Sequence, residues 1–521
     1  MKPLIFSAVA ALALLTVSCG GSGSSLPTPP PPTGGFSNAN LKGTYAFSMS
    51  GTDANANPGA FIARVGSFVA DGSGNISMGM EDVFDGGNLN SAVQFTGGTY
   101  SVQANGKGTL TLNTLSGGLG LTIALNSPTK GVMIQTDLNA TSSGSFILQS
   151  SSAFTATAIT GPYVFDVSGT DVANNGAPVS VVGQVVANAN GAITGGIYDS
   201  DDGGSLLTAQ TFGAGGVYAF DTNGNGTTFG RGTMSFASRN FVFYVVDSTR
   251  IRLLETDLQL FTVGDALQQS GAPTQTAAGS FSFLIGGSSV LGTMGPIARG
   301  ARFTTDASGK VTNVQLDDNN NGTITSITSG TTISSPQFAI DTVNAGTGRG
   351  TLTFTASASP NAGTFTFVFY LSSATQAFIQ DTSNGVIGDG TMLAQTGTFS
   401  AASLAGNYVF DWSGINLVLG FEEDFAGQYA LSSSGAITGV VDFVELASPS
   451  KRNPAFLNIP ITGTLMINGD GTGANNYTIT TGNSPSTTLT FHAYLGSSNT
   501  MLLVDVDSGK RTTAGSATVQ P

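Results

Sequence analysis

One short phrase, glycine–any–aromatic–any–apolar, recurs four times, and no other feature so limits what the chain can fold into. It reads Gly43-Thr44-Tyr45-Ala46-Phe47, Gly161-Pro162-Tyr163-Val164-Phe165, Gly279-Ser280-Phe281-Ser282-Phe283 and Gly406-Asn407-Tyr408-Val409-Phe410. The aromatic positions lie 118, 118 and 127 residues apart. A period that long describes whole domains, each large enough to fold alone, and not a solenoid of short units that need neighbours to bury a core. Each phrase opens a strand of period two. Tyr45, Phe47 and Met49 share one face, as do Tyr163, Phe165 and Val167, Phe281, Phe283 and Ile285, and Tyr408, Phe410 and Trp412. Alternation of this kind marks a half-buried strand, so these aromatics, with the only tryptophan, are expected in cores.

The rest of the unit repeats with the phrase. A glycine turn (Gly74, Gly191, Gly309, Gly435) separates two alternating runs, as hairpins require. Asp82, Asp199 and Asp317 each follow that glycine by eight residues, while Asp442 and Glu445 in the fourth unit are out of register. A basic residue stands between glycines in Gly106-Lys107-Gly108, Gly230-Arg231-Gly232 and Gly348-Arg349-Gly350, and is expected to be an exposed turn side chain. Aromatic strands follow, then an Asp (137, 257, 381, 505) expected to cap a turn, and a closing Gln (149, 269, 395, 520) expected to bond to a neighbouring strand.

About eight short strands per unit and no convincing helix give an all-β fold of four tandem antiparallel meanders. An up-and-down β-barrel is favoured, since closure removes the exposed edge; a β-sandwich is the alternative. The expected divisions are 37–152, 153–271, 272–397 and 398–521. A Gly-x-aromatic opening strand in an eight-stranded meander resembles the lipocalin and avidin-like barrels, although their aromatic is usually Trp. That resemblance implies a barrel that could enclose a small apolar ligand.

Composition narrows function by exclusion. Apolar residues make up 40% and charged residues 9% of the 521, so the chain has ample material for cores. The formal charge of −14 argues against nucleic-acid binding, which needs a basic footprint. Cys19 is the only cysteine, so the domains must hold without disulfides. Lys2 and the apolar run from Leu4 to Val17, too short to span a bilayer comfortably, read as a secretory signal ending at Ser18. Its end resembles the lipobox of bacterial lipoproteins, with Thr16 where that pattern prefers Leu. The resemblance implies a lipoprotein signal peptide at 1–19, in which Cys19 is lipidated and becomes the new N-terminus. With Gly20 after it in place of Asp, the outer membrane and cell surface are the implied destination. A plain signal peptide is the alternative. Residues 20–36 form a Gly/Ser/Pro-rich tether.

Signs of catalysis are few. His492 is the only histidine, takes the place of Val242 and Val368, and is expected to be a partly exposed strand residue. It leaves no room for a histidine zinc cluster or a repeated triad. The run Glu422-Glu423-Asp424 is expected to face solvent. Calcium is the sharper candidate: Asp221, Asn223 and Asn225, and Asp317, Asn319 and Asn321, match the first half of an EF-hand-type loop. Both lack its twelfth-position Glu, lie between strands, and suit ordinary turns, so no metal or other cofactor is expected. The reading is a lipid-anchored surface protein, not an enzyme. Its role is structural or adhesive, toward a surface polymer or another surface protein. Its rivals are apolar-ligand barrels, or carbohydrate- or calcium-dependent surface binding.

Overall fold

The computed structural model describes residues 35–56, 60–257, 259–270, 278–291, 294–357, 363–448, 451–479, 487–497 and 499–520. They belong to one compact unit, residues 31–521. The expected signal peptide, Cys19 and the tether up to residue 34 lie outside the described residues.

In the first unit the strands are β1 (Lys42–Asp53), β2 (Ala60–Asp71), β3 (Asn75–Asp85), β4 (Asn88–Phe95), β5 (Gly97–Val102), β6 (Lys107–Thr114), β7 (Gly117–Ser127), β8 (Lys130–Gln135) and β9 (Ala140–Leu148). Each pairs antiparallel with the next, except that β4 and β5 both pair with β3, and β9 returns to β1, from Tyr45↔Leu148 to Asp53↔Ala140. The nine segments make eight staves, because β4 and β5 are one strand bent at Gly97, where φ is +136°. β4 pairs with the far half of β3, and β5 with its beginning. The sheet therefore closes, and the fold is a barrel, not a sandwich.

The second and fourth units close in the same way; the fourth runs the bent stave unbroken, Phe456–Ile467. In the third unit the third stave pairs with the first half of the fourth, from Leu316↔Ile327 to Asn320↔Thr323, and meets its second half at the Lys310↔Gln337 bridge and through Phe338 N–H, which donates to Gly309 O at 2.9 Å. Among the described residues one short α-helix, α1 (Asn225–Phe229), and three 3₁₀ turns interrupt this all-β pattern; α1 begins at Asn225 of the first calcium-like stretch.

Each barrel is filled by its own core. Tyr45, Phe47, Tyr163, Phe165, Phe281, Phe283, Tyr408, Phe410 and Trp412 are all at most 5% exposed. The opening Phe drives a specific pairing. Phe47, Phe165 and Phe410 sit opposite Gly66, Gly183 and Gly427, where an added Cβ would come within 2.7 Å of the ring. Tyr45 and Tyr163 use their hydroxyls at the barrel end, donating to Pro128 O (2.7 Å) and Ser248 O (2.6 Å). In the second barrel the enclosed space left over is about 10 Å³, too little for any organic ligand.

The barrels do not hang as beads. The outward faces of β1, β2 and β3 pack on the late strands of the next barrel: Ala46, Val65, Met80 and Phe84 against Val242, Tyr244, Leu254 and Phe261. Val164, Val182 and Ile197 meet Val368, Tyr370 and Phe378 in the same manner, and Ala298 meets Tyr494, Leu502 and Val504. The fourth contact returns to the start, with Val409, Ala426 and Val444 on Ala124, Val132 and Ile134. Four barrels thus form a closed ring, and the residues that alternate with the core aromatics on each opening strand are buried between barrels or face the ring's centre.

All four barrels point the same way. The closing Gln at the end of each ninth segment reaches the matching end of the next barrel. At the opposite end, loops meet loops: Gly204 lies against Val290, and Gly322 against Leu417. The ring therefore has one rim holding every strand beginning of the repeated phrase, and another holding the turns that follow those strands.

Candidate functional site: buried ties between barrels around a central cavity

The third stave of each barrel carries an Asp at the neighbouring interface. In three barrels this Asp is the unpaired residue of a β-bulge: Asp82 between Glu81 and Val83, Asp199 between Tyr198 and Ser200, Asp442 between Val441 and Phe443. Opposite each one the chain turns through positive φ at Ala92, Ala209 and Asn458. That turn aims the residue's own N–H at the carboxylate, at 3.0, 2.9 and 2.5 Å respectively. A bulge re-aims a side chain in this way at the cost of one ladder bond.

The partners come from the next barrel. Arg231 grips Asp82 with Nε (2.8 Å) and Nη2 (2.7 Å), and Tyr244 donates to the same carboxylate at 2.7 Å. Arg349 and Tyr370 repeat the arrangement on Asp199 at 2.8, 2.7 and 2.6 Å. Burial opposes charge on both guanidiniums, but the bonds and charge of the paired Asp outweigh it and raise their pKa. Burial, with the Asp charge beside them, pushes the Tyr244 and Tyr370 hydroxyls well up, so both stay protonated donors.

At the third interface Thr472 stands in the Arg place, and His492 fills the gap. Its Nδ1 lies 2.6 Å from Asp317, to which Tyr494 and Ser326 also donate, each at 2.5 Å. The hydrogen bond to Asp317 raises the imidazole pKa. Burial works against the Asp317 charge, but His492 and the two hydroxyls hold its pKa below the ordinary value. At the fourth interface Lys107 donates to Asp442 at 2.5 Å and Ala124 replaces the tyrosine. Burial lowers the pKa of Lys107 despite that partner.

The closing glutamines complete the ties. Nε2 of Gln149 donates to Phe229 O (2.8 Å) and Val245 O (2.5 Å), and that of Gln269 to Thr347 O (2.9 Å) and Leu371 O (2.7 Å). Gln395 reaches Leu495 O (2.9 Å), and Gln520 reaches Asn105 O (3.1 Å) and Leu125 O (2.7 Å) in the first barrel.

Several sequence expectations change here. Asp442 is not out of register. The first three barrels carry an extra bulge beside the second hairpin turn, at Val69/Ala70, Val186/Ala187 and Arg302/Thr304, which the fourth lacks. One residue fewer brings Asp442 to the same place. The basic residues between glycines are not exposed: Lys107, Arg231 and Arg349 are 2%, 6% and 8% accessible. Glu423 and Asp424 do not face solvent but lie at 1% and 0%, in a strand packed against the first barrel. Each Gln bonds not merely to a neighbouring strand but to the next barrel.

The Asp after the eighth segment occupies two positions. Asp137 caps the turn, accepting the N–H of Asn139 (3.0 Å), whereas Asp257 accepts the N–H of Asn240 (2.8 Å) on the neighbouring strand. Asp381 and Asp505 are fully buried strand ends that also cap the turn, accepting the N–H of Ser383 and of Asp507 (2.8 Å each), and they match Gln135 and Glu255 across the repeats. His492 is, as expected, half-exposed.

The calcium-like stretches are otherwise engaged. Asp221 pairs with Arg231 at 2.5 Å, and Asn225 opens α1. Asp317 holds His492, while Asn319 donates to Asp505 O (2.8 Å) and Arg511 O (2.9 Å). Asn321 ends a strand at φ +49°. Asn223 accepts the Asn225 N–H at 3.3 Å. Among the described residues no group of three or more His, Cys, Asp or Glu is placed to hold a metal ion.

A cavity of about 910 Å³ lies at the centre of the ring, lined by residues of all four barrels. It is walled by the first, second, eighth and ninth segments, and its charged groups are Lys130, Arg250, Asp389 and Asp411.

No protein-family model matches this chain, and no curated protein does. Among solved structures, a mutant of transferrin binding protein B from Haemophilus parasuis is similar at 9% identity and a TM-score of 0.19, covering 75% of this chain and 84% of that one. Transferrin binding protein B from serogroup B Neisseria meningitidis is similar at 10% identity and a TM-score of 0.17, covering 74% and 82%. Likenesses this distant carry no inference about ligand or partner.

Proposed function

We propose that this chain is a lipid-anchored surface protein whose ring of barrels is a non-catalytic scaffold, displayed away from the membrane for structural or adhesive contact. One observation carries the reading: all four barrels share an orientation, and the chain enters on the strand-beginning rim. Phe36 N–H donates to Ala104 O there at 2.9 Å. A tether at residues 20–36 places that rim toward an anchor at Cys19 and leaves the opposite rim outward. Exposed apolar side chains stand on that outward rim, among them Leu115, Leu138, Val172, Leu207, Leu291 and Val418. Repetition suits weak contacts that gain from multivalency. The packed barrel interior disfavours an apolar ligand inside a barrel.

Fractionation of cells carrying Cys19→Ala tests the anchor: the protein is expected to leave the membrane fraction. Protease shaving of intact cells tests display, with cleavage expected in the outward loops. A Cys19→Ala protein that stays with the membrane, or loops inaccessible on intact cells, would sink the reading.

A further inference from the structure

The four barrels repeat their cores and ties, but not the charges facing the ring's centre. At the start of the eighth segment stand Lys130, Arg250, Gln376 and Thr500, aligned by their pairing with the ninth. On the opening strand, one residue past the core Phe, stand Ser48, Asp166, Leu284 and Asp411. Cations therefore face the cavity from the first two barrels, and carboxylates, Asp389 and Asp411, from the third and fourth. A scaffold filled only by solvent has no need of this asymmetry.

Two of these charges already have protein partners, Arg250 with Asp265 at 3.6 Å and Asp389 with Asp166, Ser168 and Ser180; Lys130 and Asp411 are met less fully. The protein packed around Lys130, then the repulsion of Arg250, lower its pKa against the attraction of Asp411; its side chain is exposed on the cavity wall, and among the described residues its ammonium makes no hydrogen bond or close ion pair. Asp411, on the adjoining fourth barrel, accepts from Ser516 at 3.3 Å. Asp389 also lines the cavity, beside Asp166, whose Oδ1 is buried without a partner. Lys130 is exposed on the cavity wall and Arg250, Asp389 and Asp411 are partly exposed, so all four are open to a bound group carrying both signs of charge. Serine and threonine hydroxyls (Ser50, Ser168, Ser413, Thr500) complete the wall with neutral donors and acceptors.

We propose that the central cavity binds a small organic zwitterion of amino-acid or short-peptide size, its carboxylate against Lys130 and Arg250 and its ammonium against Asp411 and Asp389. The volume lies within the range of ligand sites, roughly 300–1,000 Å³. The site uses residues of all four barrels, so it exists only in the closed ring.

Titration calorimetry on the full chain tests this with four probes: the dipeptide alanyl-alanine, its N-acetyl form, its C-terminal amide, and glucose. The free dipeptide is expected to bind, with each singly charged form weaker by about 10-fold or more and glucose silent. Lys130→Gln and Asp411→Asn are each expected to weaken the free dipeptide by a similar factor. Gln376 and Ser48 stand at the matching places, so both substitutions suit the fold. Binding of the acetylated form as strongly as the free one would make this a plain anion site and overturn the proposal. So would binding of glucose alone, equal affinity in Lys130→Gln, or no heat from the dipeptide at millimolar concentration. The probe series on the unmodified protein decides the matter even where a variant unfolds.

Discussion

Gln520, at the end of the last strand, donates its side-chain N–H to Leu125 O of the first barrel at 2.7 Å, the same bond that Gln149 makes to Val245 O one barrel along. The first three glutamines join barrels that follow each other in the chain. Gln520 joins the two that do not, so it helps close a ring that no linker closes. Gln520→Ala leaves the Leu125 carbonyl without this donor, at a cost of about 1–3 kcal/mol. Amide exchange is expected to rise at the 105–107 turn and across β7, while Gln149→Ala, whose barrels stay linked, perturbs exchange less. Equal exchange in the two variants would show that the fourth interface gains nothing from Gln520.

Asp199 is wholly buried, and its charge is met by Arg349 and Tyr370. Arg349→Met strands that carboxylate inside an interface, and the unfolding free energy is expected to fall by about 3–5 kcal/mol. Adding Asp199→Asn removes the stranded charge and is expected to restore more than half of the loss. If the double variant is no better than the single one, the damage lies in packing and not in the uncompensated charge.

The repeated phrase, the strand count and the core face were all legible in the sequence, because a filled barrel imposes strict alternation on Tyr45, Phe47 and their counterparts. The ring was not. Residues such as Ala46, Val65 and Val164 alternate with core positions whether the other face meets water or another barrel, so period two cannot separate the cases. Burial of Arg231 and Arg349 was equally hidden, since a glycine-flanked cation looks the same in an exposed turn. The register of Asp442 depended on a bulge, and a bulge leaves no mark beyond a one-residue change in spacing. Lys130 and Asp411 carried no motif at all, and only closure of the ring brings them to one cavity.

The calcium-like stretches yield a plain expectation. Their acidic oxygens are already held by Arg231, His492 and Tyr494. A hard cation needs six or more oxygens freed at once. Thermal melts in millimolar calcium and in excess chelator are expected to coincide within about 1 °C. A calcium-dependent rise of several degrees would mean that these ties rearrange around the ion.

His492→Val places at the third interface the residue that stands at 242 and 368. The folded-state pKa of His492 is raised, so its contribution to stability is fully present below its ordinary value of 6.5 and is lost as pH rises through the folded value. Asp317 is depressed, so its contribution is present above its ordinary value of 3.8 and fades as pH falls through the lower folded value. Denaturation of the two proteins from pH 4 to 9 is expected to show wild type more stable near pH 5, with the difference shrinking steadily above about pH 7. A difference independent of pH would assign His492 to packing alone.

Asp505 presents the opposite sign. Burial, followed by the charge of Asp507, pushes its pKa from 3.8 up to about 8, although the Asp507 N–H opposes the shift. The folded state therefore binds a proton that the unfolded chain releases, and stability declines as pH rises between those two values. Oδ1 accepts the Asp507 N–H at 2.8 Å, while Oδ2 is buried without a partner. An amide keeps the first contact, carries no charge, and has a precedent in Gln135, which fills the matching place in the first barrel. Asp505→Asn is expected to be close to neutral at pH 4 and to gain stability progressively up to pH 8, flattening that part of the pH profile. Equal slopes for the variant and the wild type across this range would show that Asp505 stays ionised in the fold, with water or a counter-charge reaching Oδ2.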